Sequence, residues 1–262
     1  MSIIENIREL MRYRELLIMW SARTVKVRYK QTLLGILWAI FRPFATMVVF
    51  TIIFSKFFQV PSEGIPYPIF SYSALVPWMF FATSITTGVP SLVYNIGIVT
   101  KIYFPREIIP LSSIGAASVD FIIAFVILIG MMIFYHASIT LWVLLLPVLI
   151  VIQVMLAAGI SLFASAANVF YRDVRFIFEL GIQLWMYLSP VIYSVETVPE
   201  KFIWLYMVNP MAPIIDSYRR ILIAGRPPQW QFLGMAAGVS LLVFLLGYGY
   251  FKRMEEKFAD II

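Results

Sequence analysis

The chain has 262 residues, of which 61% are hydrophobic and 13% are charged, with a formal net charge of +6 at pH 7. Soluble domains are about 45–50% apolar and about 25% charged, so this composition, with a mean hydropathy of +0.89, excludes a soluble fold. Zero cysteines exclude disulfides, thiolate nucleophiles and iron–sulfur clusters, and the single histidine, His136, excludes a histidine metal cluster. We therefore expect one all-α membrane protein with no metal site and no cofactor of its own.

The N-terminal stretch, residues 1–33, is predicted to form an amphipathic interface helix. Apolar residues such as Leu10 and Leu17 recur at helical spacing among basic residues, which is typical of a helix that lies along a membrane surface. The first apolar run, Leu16–Trp20, is too short for the core of a signal peptide. A lipid-surface anchor with no further role is the alternative interpretation of this pattern.

Six segments are predicted to cross the membrane, because a spanning helix needs about 20 mostly apolar residues. A short tail over residues 252–262 follows the last of them. In chain order the predicted spans cover residues 34–58, 70–93, 109–135, 141–170, 176–193 and 232–251.

Two connections between these spans differ from plain loops. Residues 95–110 contain the segment Lys101–Glu107, whose mixture of aromatic, basic and acidic residues suits a short helix that docks on a partner, or an ordinary solvated loop. Residues 195–228 are too apolar for a hydrated loop, yet several prolines exclude a continuous helix. We predict two short re-entrant helices there, near Glu200–Val208 and Pro213–Ala224, which help to close or line a pathway.

Sidedness follows from the distribution of Lys and Arg, which are retained on the cytoplasmic side of short loops. Most of the 20 basic residues fall in the N-terminal stretch, the even-numbered connections and the tail. An even number of spans then places both termini in the cytoplasm.

Three ionisable residues fall within predicted spans, where a charge is costly and is therefore a functional candidate. Asp120 lies near the middle of its span, whereas Arg42 and Glu179 lie nearer the cytoplasmic ends of theirs. We prefer a structural pairing or a water-facing position for all three over a direct role in transport. A proton relay has little support, because no second carboxylate or histidine lies near Asp120 in its span.

Aromatic residues are abundant, and most are expected in the belts at the two membrane interfaces. An alternative is that some of them line a conduit, because aromatic faces stack against the apolar C–H faces of sugar rings. The channel-lining candidates are Trp78, Phe81, Trp185, Tyr187 and Tyr193.

Four ordered motifs carry a resemblance to a known family. They are Leu34–Ala39 leading to Pro43, Asn168–Asp173, Ser189–Tyr193 and Asn209–Met211. With these motifs the chain resembles the permeases of type 2 ABC exporters of polysaccharide over nearly its whole length. Within that family it is most similar to O-antigen permeases, with teichoic acid permeases close behind.

The resemblance implies a function and a set of partners. Members work as two permease copies with two ATPase subunits, and this chain lacks the phosphate-binding G-x-x-x-x-G-K-[ST] loop, so ATP and Mg²⁺ belong to the partner. The implied substrate is a polyprenyl-pyrophosphate-linked polysaccharide that crosses the bacterial cytoplasmic membrane through a channel between the copies. No nucleic-acid partner is expected. The implied ATPase contacts are Lys101, Tyr103, Phe104, Arg106, Glu107, Tyr171, Arg172 and Asp173.

The basic residues at the end of the N-terminal stretch have two interpretations under this resemblance. They can attract the pyrophosphate headgroup of the substrate or ordinary anionic membrane lipid, and the sequence does not decide between them. These residues are Arg23, Lys26, Arg28 and Lys30.

Other functions remain as alternatives. A permease of the same architecture for teichoic acid, a small molecule or a drug would share these features. A membrane enzyme acting on lipid-linked sugars is disfavoured, because such enzymes present acidic or histidine side chains in loops, whereas His136 sits in a short outer turn. We therefore expect a transporter subunit and not an enzyme.

Overall fold

A computed structural model describes residues 11–30 and 32–258. Within these ranges the protein is helical and contains no strand. Three parts of the chain lie outside the described residues. They are the first part of the predicted interface helix (residues 1–10), Gln31 and the end of the predicted tail (residues 259–262). The predicted all-α membrane fold is confirmed, because five helical segments are long and apolar enough to span a membrane. They are Gly35–Phe57, Tyr67–Gly88, Ile108–Phe134, Leu141–Phe170 and Trp230–Glu255.

The N-terminal helix, α1 (Arg14–Tyr29), packs lengthwise against a spanning helix that begins at Ile108. The two backbones approach closely at Gly115, where an added Cβ would lie 3.0 Å from the Cβ of Ser21. Ile18 and Met19 are exposed on the sides of α1 that do not face the protein. The helix therefore has one side on the protein and further apolar side chains left for another environment, such as lipid.

The first two spanning helices differ in how much they are enclosed. The first consists of a 3₁₀ turn (Gly35–Leu37), helix α2 (Trp38–Phe50) and a π-helical end (Thr51–Phe57), and only 17% of its most apolar stretch is buried. The second, α3 (Tyr67–Gly88), has 78% of that stretch buried. Helix α3 is therefore the centre of the chain, whereas α2 leaves most of its apolar surface uncovered.

Two four-residue helices follow α3, namely α4 (Ser91–Tyr94) and α5 (Ile96–Val99). They lead to the long helix α6 (Ile108–Phe134). The short helices of this connection thus precede the segment Lys101–Glu107, which itself forms turns and bends. The sequence left a short helix or a solvated loop open at Lys101–Glu107, and the structure shows no helix there, where Pro105 offers no backbone N–H for one.

The fourth and last of the long segments pack against each other. The fourth consists of a 3₁₀ turn (Leu141–Leu145) and helix α7 (Leu146–Phe170), and the last is α11 (Trp230–Glu255). Their crossing point requires glycine, because a Cβ on Gly159 would lie 2.6 Å from backbone atoms of Phe244. Small residues let two helix backbones approach closely within a membrane. Helix α11 continues to Glu255, so the first residues of the predicted tail are helical.

The predicted fifth span, residues 176–193, is shorter in the structure. Helix α8 (Val174–Tyr187) has 14 residues, and the chain turns at Leu188–Val191. Pro190 explains the early end, because a proline disfavours helical backbone in the residue before it and cannot donate a helical hydrogen bond. A 14-residue helix is about 21 Å long, less than the roughly 30 Å of a bilayer core. The count of six spans is therefore not established.

Short helices occupy the connection between α8 and α11. Two 3₁₀ turns (Val195–Thr197 and Glu200–Phe202) precede α9 (Ile203–Met207), and α10 (Met211–Leu222) follows it. These positions agree with the two short helices that the prolines predict, with Pro210 directly before α10. Within α10 every residue except Arg220 is buried, so this helix is part of the core.

Candidate functional site

One end of the helix bundle collects the charged residues. Helices α6 and α7 run in opposite directions, so the start of α6 and the end of α7 lie at the same end. The end of α11 is also there, because Arg106 donates a 2.6 Å hydrogen bond to the backbone oxygen of Glu255. We call this region the charged end, defined by residues 91–107, 171–175 and 252–258.

Helix α1 is fixed beside the charged end by a carboxylate of α6. Asp120 accepts hydrogen bonds from the Arg28 guanidinium and, at 2.6 Å, from the Tyr29 hydroxyl. Both members of the Arg28–Asp120 ion pair are about three-quarters enclosed, with side-chain exposures of 23% and 22%. Burial and the Asp120 carboxylate raise the pKa of Tyr29 to about 12, so its phenol remains a proton donor at neutral pH. These bonds attach the end of α1 to the middle of a spanning helix.

The other basic residues of α1 are more accessible. Arg23 is exposed, lies over the Trp20 ring and donates a 3.3 Å hydrogen bond to the Asn95 side chain. Lys26 and Lys30 are also exposed. Only Arg28 of the four candidates for headgroup binding is therefore largely enclosed by protein.

The segment Lys101–Glu107 divides into an exposed and an enclosed part. Lys101 and Tyr103 are exposed, Tyr103 by 88%. Phe104 is buried and stacks on Trp20 of α1 at a ring distance of 5.9 Å. The first part of the segment is therefore available to a partner, and Phe104 connects it to α1.

The enclosed part of this segment is bonded to the last helix. Glu107 is 1% exposed and forms a 2.8 Å ion pair with Lys252, which also contacts Glu255 at 2.9 Å. Burial raises the pKa of the Glu107 carboxyl, and the Lys252 ammonium opposes that shift by favouring the ionised form. The guanidinium of Arg106 lies 5.8 Å from the ring of Phe258. The segment and the end of α11 are thus held as one unit.

A second exposed turn joins α7 to α8 at the same end. Tyr171, Arg172 and Asp173 are all exposed, Tyr171 by 71%. Lys101 and Tyr103 are exposed at the same end of the bundle. This end therefore has two accessible segments, and both carry residues that the sequence analysis assigned to contact with a partner.

The remaining charges inside predicted spans lie near this end. Glu179 accepts a 2.8 Å hydrogen bond from Arg175, which also contacts the Tyr94 hydroxyl. Arg42 of α2 is exposed on the chain and lines a cavity that Arg28 and Asp120 also line. The structure thus places Arg42 and Asp120 around one space and Glu179 in a separate ion pair.

The aromatic candidates fall into two groups. Trp78 and Phe81 are buried inside the chain, where Phe81 meets Trp185 edge-to-face at 5.3 Å. The indole N–H of Trp185 donates a 2.7 Å hydrogen bond to the Asn209 side chain. Tyr187 is exposed, and the half-buried Tyr193 donates to its backbone oxygen at 3.0 Å. Only Tyr187, Tyr193 and part of Trp185 therefore reach the surface of a single chain.

Sequence reasoning missed a residue at the other end of the bundle. Arg219 of α10 is 2% exposed and donates hydrogen bonds to the backbone oxygens of Phe70, Tyr193 and Val191 at 3.2–3.4 Å. Its guanidinium also lies 3.6 Å from the centroid of the Phe70 ring. A buried cation bonded to three carbonyls joins α10 to α3 and to the turn after α8. The only signal in the sequence was a pair of arginines, Arg219 and Arg220, in a segment predicted to re-enter the membrane.

Comparison with known proteins gives a consistent result. The family model described as "ABC-2 type transporter" matches residues 15–223. The chain is similar to an O-antigen export system permease protein RfbA of Klebsiella pneumoniae, with 30% identity over 95% of both chains. It is also similar to the protein of that name from Myxococcus xanthus, with 30% identity over 99% of this chain and 100% of the relative. The polysialic acid transport protein KpsM of Escherichia coli is 21% identical over 89% of this chain and 91% of the relative.

Proposed function

Because this chain belongs to the ABC-2 type transporter family, we propose that it is the membrane-spanning subunit of an ATP-driven exporter of polyprenyl-pyrophosphate-linked polysaccharide. The similarity to O-antigen export permeases carries this proposal, since it extends over nearly the full length of both chains. The lower identity to a polysialic acid transport protein favours an O-antigen-like glycan over polysialic acid. Teichoic acid or a small molecule remains the alternative cargo.

The charged end is the proposed contact with a separate ABC ATPase, which binds ATP and Mg²⁺. Two exposed segments meet the ATPase, one with Lys101 and Tyr103 and the other with Tyr171–Asp173. Movement of the first segment reaches α11 through the Glu107–Lys252 ion pair. It reaches α1 through the contact between Phe104 and Trp20. The ATPase thereby acts on both ends of the chain at once.

The pathway for the glycan is proposed to lie between two copies of the chain. The first spanning segment and helix α8 leave large apolar side chains uncovered, including Phe44 on α2, Ile52 on the π-helical end that follows it and Leu180 on α8. Tyr187 and Tyr193 would meet the sugar chain near its exit. In this arrangement both termini lie in the cytoplasm, and α1 precedes a membrane domain over residues 34–251. The protein resides in the bacterial cytoplasmic membrane.

Copurification and export together test this function. A tagged copy of the chain is expressed with the ATPase encoded beside its gene, and the stoichiometry of the purified complex is measured. We expect two copies of each subunit, and export of glycan when both genes are supplied to a strain that lacks its own exporter. A chain that binds no ATPase, or a complex that restores no export, would contradict the proposal.

A further inference from the structure

Two cavities meet at Arg28. The first has a volume of about 320 Å³ and the second about 470 Å³. Arg28, Thr86 and Thr87 line both of them, so the two are neighbouring parts of one space. Together they have the size of a site for a small organic molecule, which is typically roughly 300–1,000 Å³.

The two parts lie at different depths along α3. The first follows α3 from Val76 to Thr87, whereas the second extends from Thr86 past the end of the helix to Asn95. At about 1.5 Å per residue, the first part reaches roughly 16 Å back from Thr87 into the spanning helix. The first part is thus inside the membrane domain and the second is at the charged end.

The two parts of the space also differ in the polarity of the residues that line them. Trp38, Phe80 and Phe121 supply apolar walls to the first part. Arg23, Asn95 and Arg175 supply polar and charged groups to the second. Over both parts, the four arginines 23, 28, 42 and 175 face two carboxylates, Asp120 and Glu179, which leaves two positive charges in excess. The space therefore suits an amphiphile with a negative headgroup.

Arg28 lies where the apolar and polar parts meet and lines both of them. Its Nη1 is held by Asp120, whereas its Nη2 is buried and has no hydrogen-bond partner among residues 11–30 and 32–258. A buried donor without a partner is costly, so a shift of the guanidinium that brings Nη2 to an acceptor in the cavity would be favoured. Phosphoryl oxygens are suitable acceptors for a guanidinium. Asp120 acts as a positioning residue, because it leaves Nη2 free while it orients the group.

We propose that this space is the site where a lipid pyrophosphate is held, with the first isoprene units of its chain in the first part, its phosphoryl groups at Arg28 and its first sugar in the second part. This inference rests on the proposed function and deepens it, since it assigns the headgroup to Arg28 among the basic residues of α1. Arg23 and Arg175 flank the polar part. Thr83 faces the apolar part and does not line the polar one.

Binding by the purified chain, without ATPase, tests the site. The probe is undecaprenyl pyrophosphate, and its dissociation constant is measured by native mass spectrometry in detergent. We expect Arg28→Gln to weaken binding at least tenfold, because a charge-assisted hydrogen bond is lost. The matched control is Arg14→Gln, which removes the same charge from an exposed position on the same helix and lines neither cavity. It should change binding less than twofold.

A second variant keeps every charge. Thr83→Phe fills the apolar part, so it should weaken binding of undecaprenyl pyrophosphate while leaving α1 and Arg28 in place. This variant preserves the test even if Arg28→Gln fails to fold. Unchanged binding of undecaprenyl pyrophosphate by folded Thr83→Phe would overturn the assignment of the apolar part.

Two further probes distinguish the sources of the phosphoryl group. Inorganic pyrophosphate should bind at least tenfold more weakly than the lipid, and equal binding would mean that the apolar part contributes nothing. Phosphatidylglycerol should also bind more weakly, and equal binding would overturn the site in favour of ordinary membrane lipid. Copurification with the ATPase is measured for the same variants. A variant that still copurifies with the ATPase and binds the probe like wild type refutes the proposed site alone. Failure of the wild-type chain to copurify with the ATPase refutes the proposed function.

Discussion

Neighbouring arginines on α10 have opposite environments. Arg219 is buried among backbone oxygens, whereas Arg220 is partly exposed and lies 3.9 Å from Asp216. An arginine that is enclosed by carbonyls stabilises the arrangement of those carbonyls, and a peripheral ion pair contributes little. The two residues therefore offer a matched comparison on one helix.

Arg219→Met should destabilise the protein strongly. The substitution removes a donor from the oxygens of Val191 and Tyr193 in the turn after α8, and we expect a loss of about 3 kcal/mol in the free energy of unfolding. Arg220→Met should cost less than Arg219→Met, because Arg220 is partly exposed, lies 3.9 Å from Asp216 and donates to one carbonyl, that of Pro227. Thermal unfolding of both purified variants in the same detergent measures the difference. Equal melting temperatures would show that the carbonyl contacts of Arg219 are not stabilising.

Asp120→Asn should loosen α1. The variant keeps the size of the side chain but removes the negative charge from a largely enclosed ion pair, and we expect a loss of about 2 kcal/mol. Combination with Arg28→Gln should cost less than the sum of the two single changes, because the single variant leaves an unpaired charge. Proteolysis of α1 in the native state, followed by mass spectrometry, measures its release from α6. Additive effects would argue against a direct pair.

At the level of residues, the sequence showed which side chains are unusual for a membrane helix but not what they contact. Asp120 was identified because a carboxylate in an apolar helix is conspicuous. Its partner Arg28 lies 92 positions away in the chain, so no local pattern could connect the two. Arg219 was overlooked for the same reason, since its hydrogen-bond acceptors are backbone oxygens from two other parts of the fold.

At the level of elements, the long apolar helices were predictable and the short ones were less so. The segment Leu141–Phe170 has the predicted bounds, because its length and hydropathy leave no alternative. The end of α8 at Tyr187 was placed too late, since the apolar residues continue beyond Pro190 although the helix does not. At Lys101–Glu107, composition left a short helix or a solvated loop open, and the structure shows an irregular chain in which Phe104 and Glu107 are enclosed by protein.

The crossing of α7 and α11 depends on glycine. Gly159→Ala would place a Cβ 2.6 Å from the backbone of Phe244, so the helices must separate and we expect a loss of about 2 kcal/mol in stability. Gly249→Ala on α11 is the control, since a Cβ there meets no atom within 4 Å and alanine favours helix. Thermal unfolding of the two variants compares them. If Gly159→Ala melts at the wild-type temperature, the close approach has no energetic consequence.

At the level of the whole molecule, the distribution of charge predicts which end faces the cytoplasm. The structure adds that the basic segments 101–106 and 171–175 meet at one end, as antiparallel helices require. The number of spans depends on whether α8 crosses the membrane, and its 14 residues are fewer than the about 20 that a spanning helix needs. Neither the sequence nor the fold of one chain contains the second copy, so the lining of a pathway between copies could not be predicted from either.

The absence of cysteine makes this topology directly measurable. Single substitutions Tyr103→Cys, His136→Cys, Tyr171→Cys and Lys201→Cys are labelled in intact cells with a membrane-impermeant maleimide. We expect label at 136 and 201 from outside, and label at 103 and 171 only after the membrane is permeabilised. Label at both 171 and 201 from the same side would mean that α8 does not cross, and the protein would then have five spans.

The shortness of α8 has a physical consequence for the surrounding bilayer. A helix of about 21 Å in a hydrocarbon layer of about 30 Å creates hydrophobic mismatch, which costs a fraction of a kcal/mol for each ångström where the helix meets lipid. Phe176, Ile177 and Leu184 face outward from the chain. A second copy that covers this surface relieves the deformation of the lipid. The thickness of the bilayer should therefore change the association of two copies of the chain. Thicker bilayers should favour the associated state, and thinner bilayers should favour the separated one.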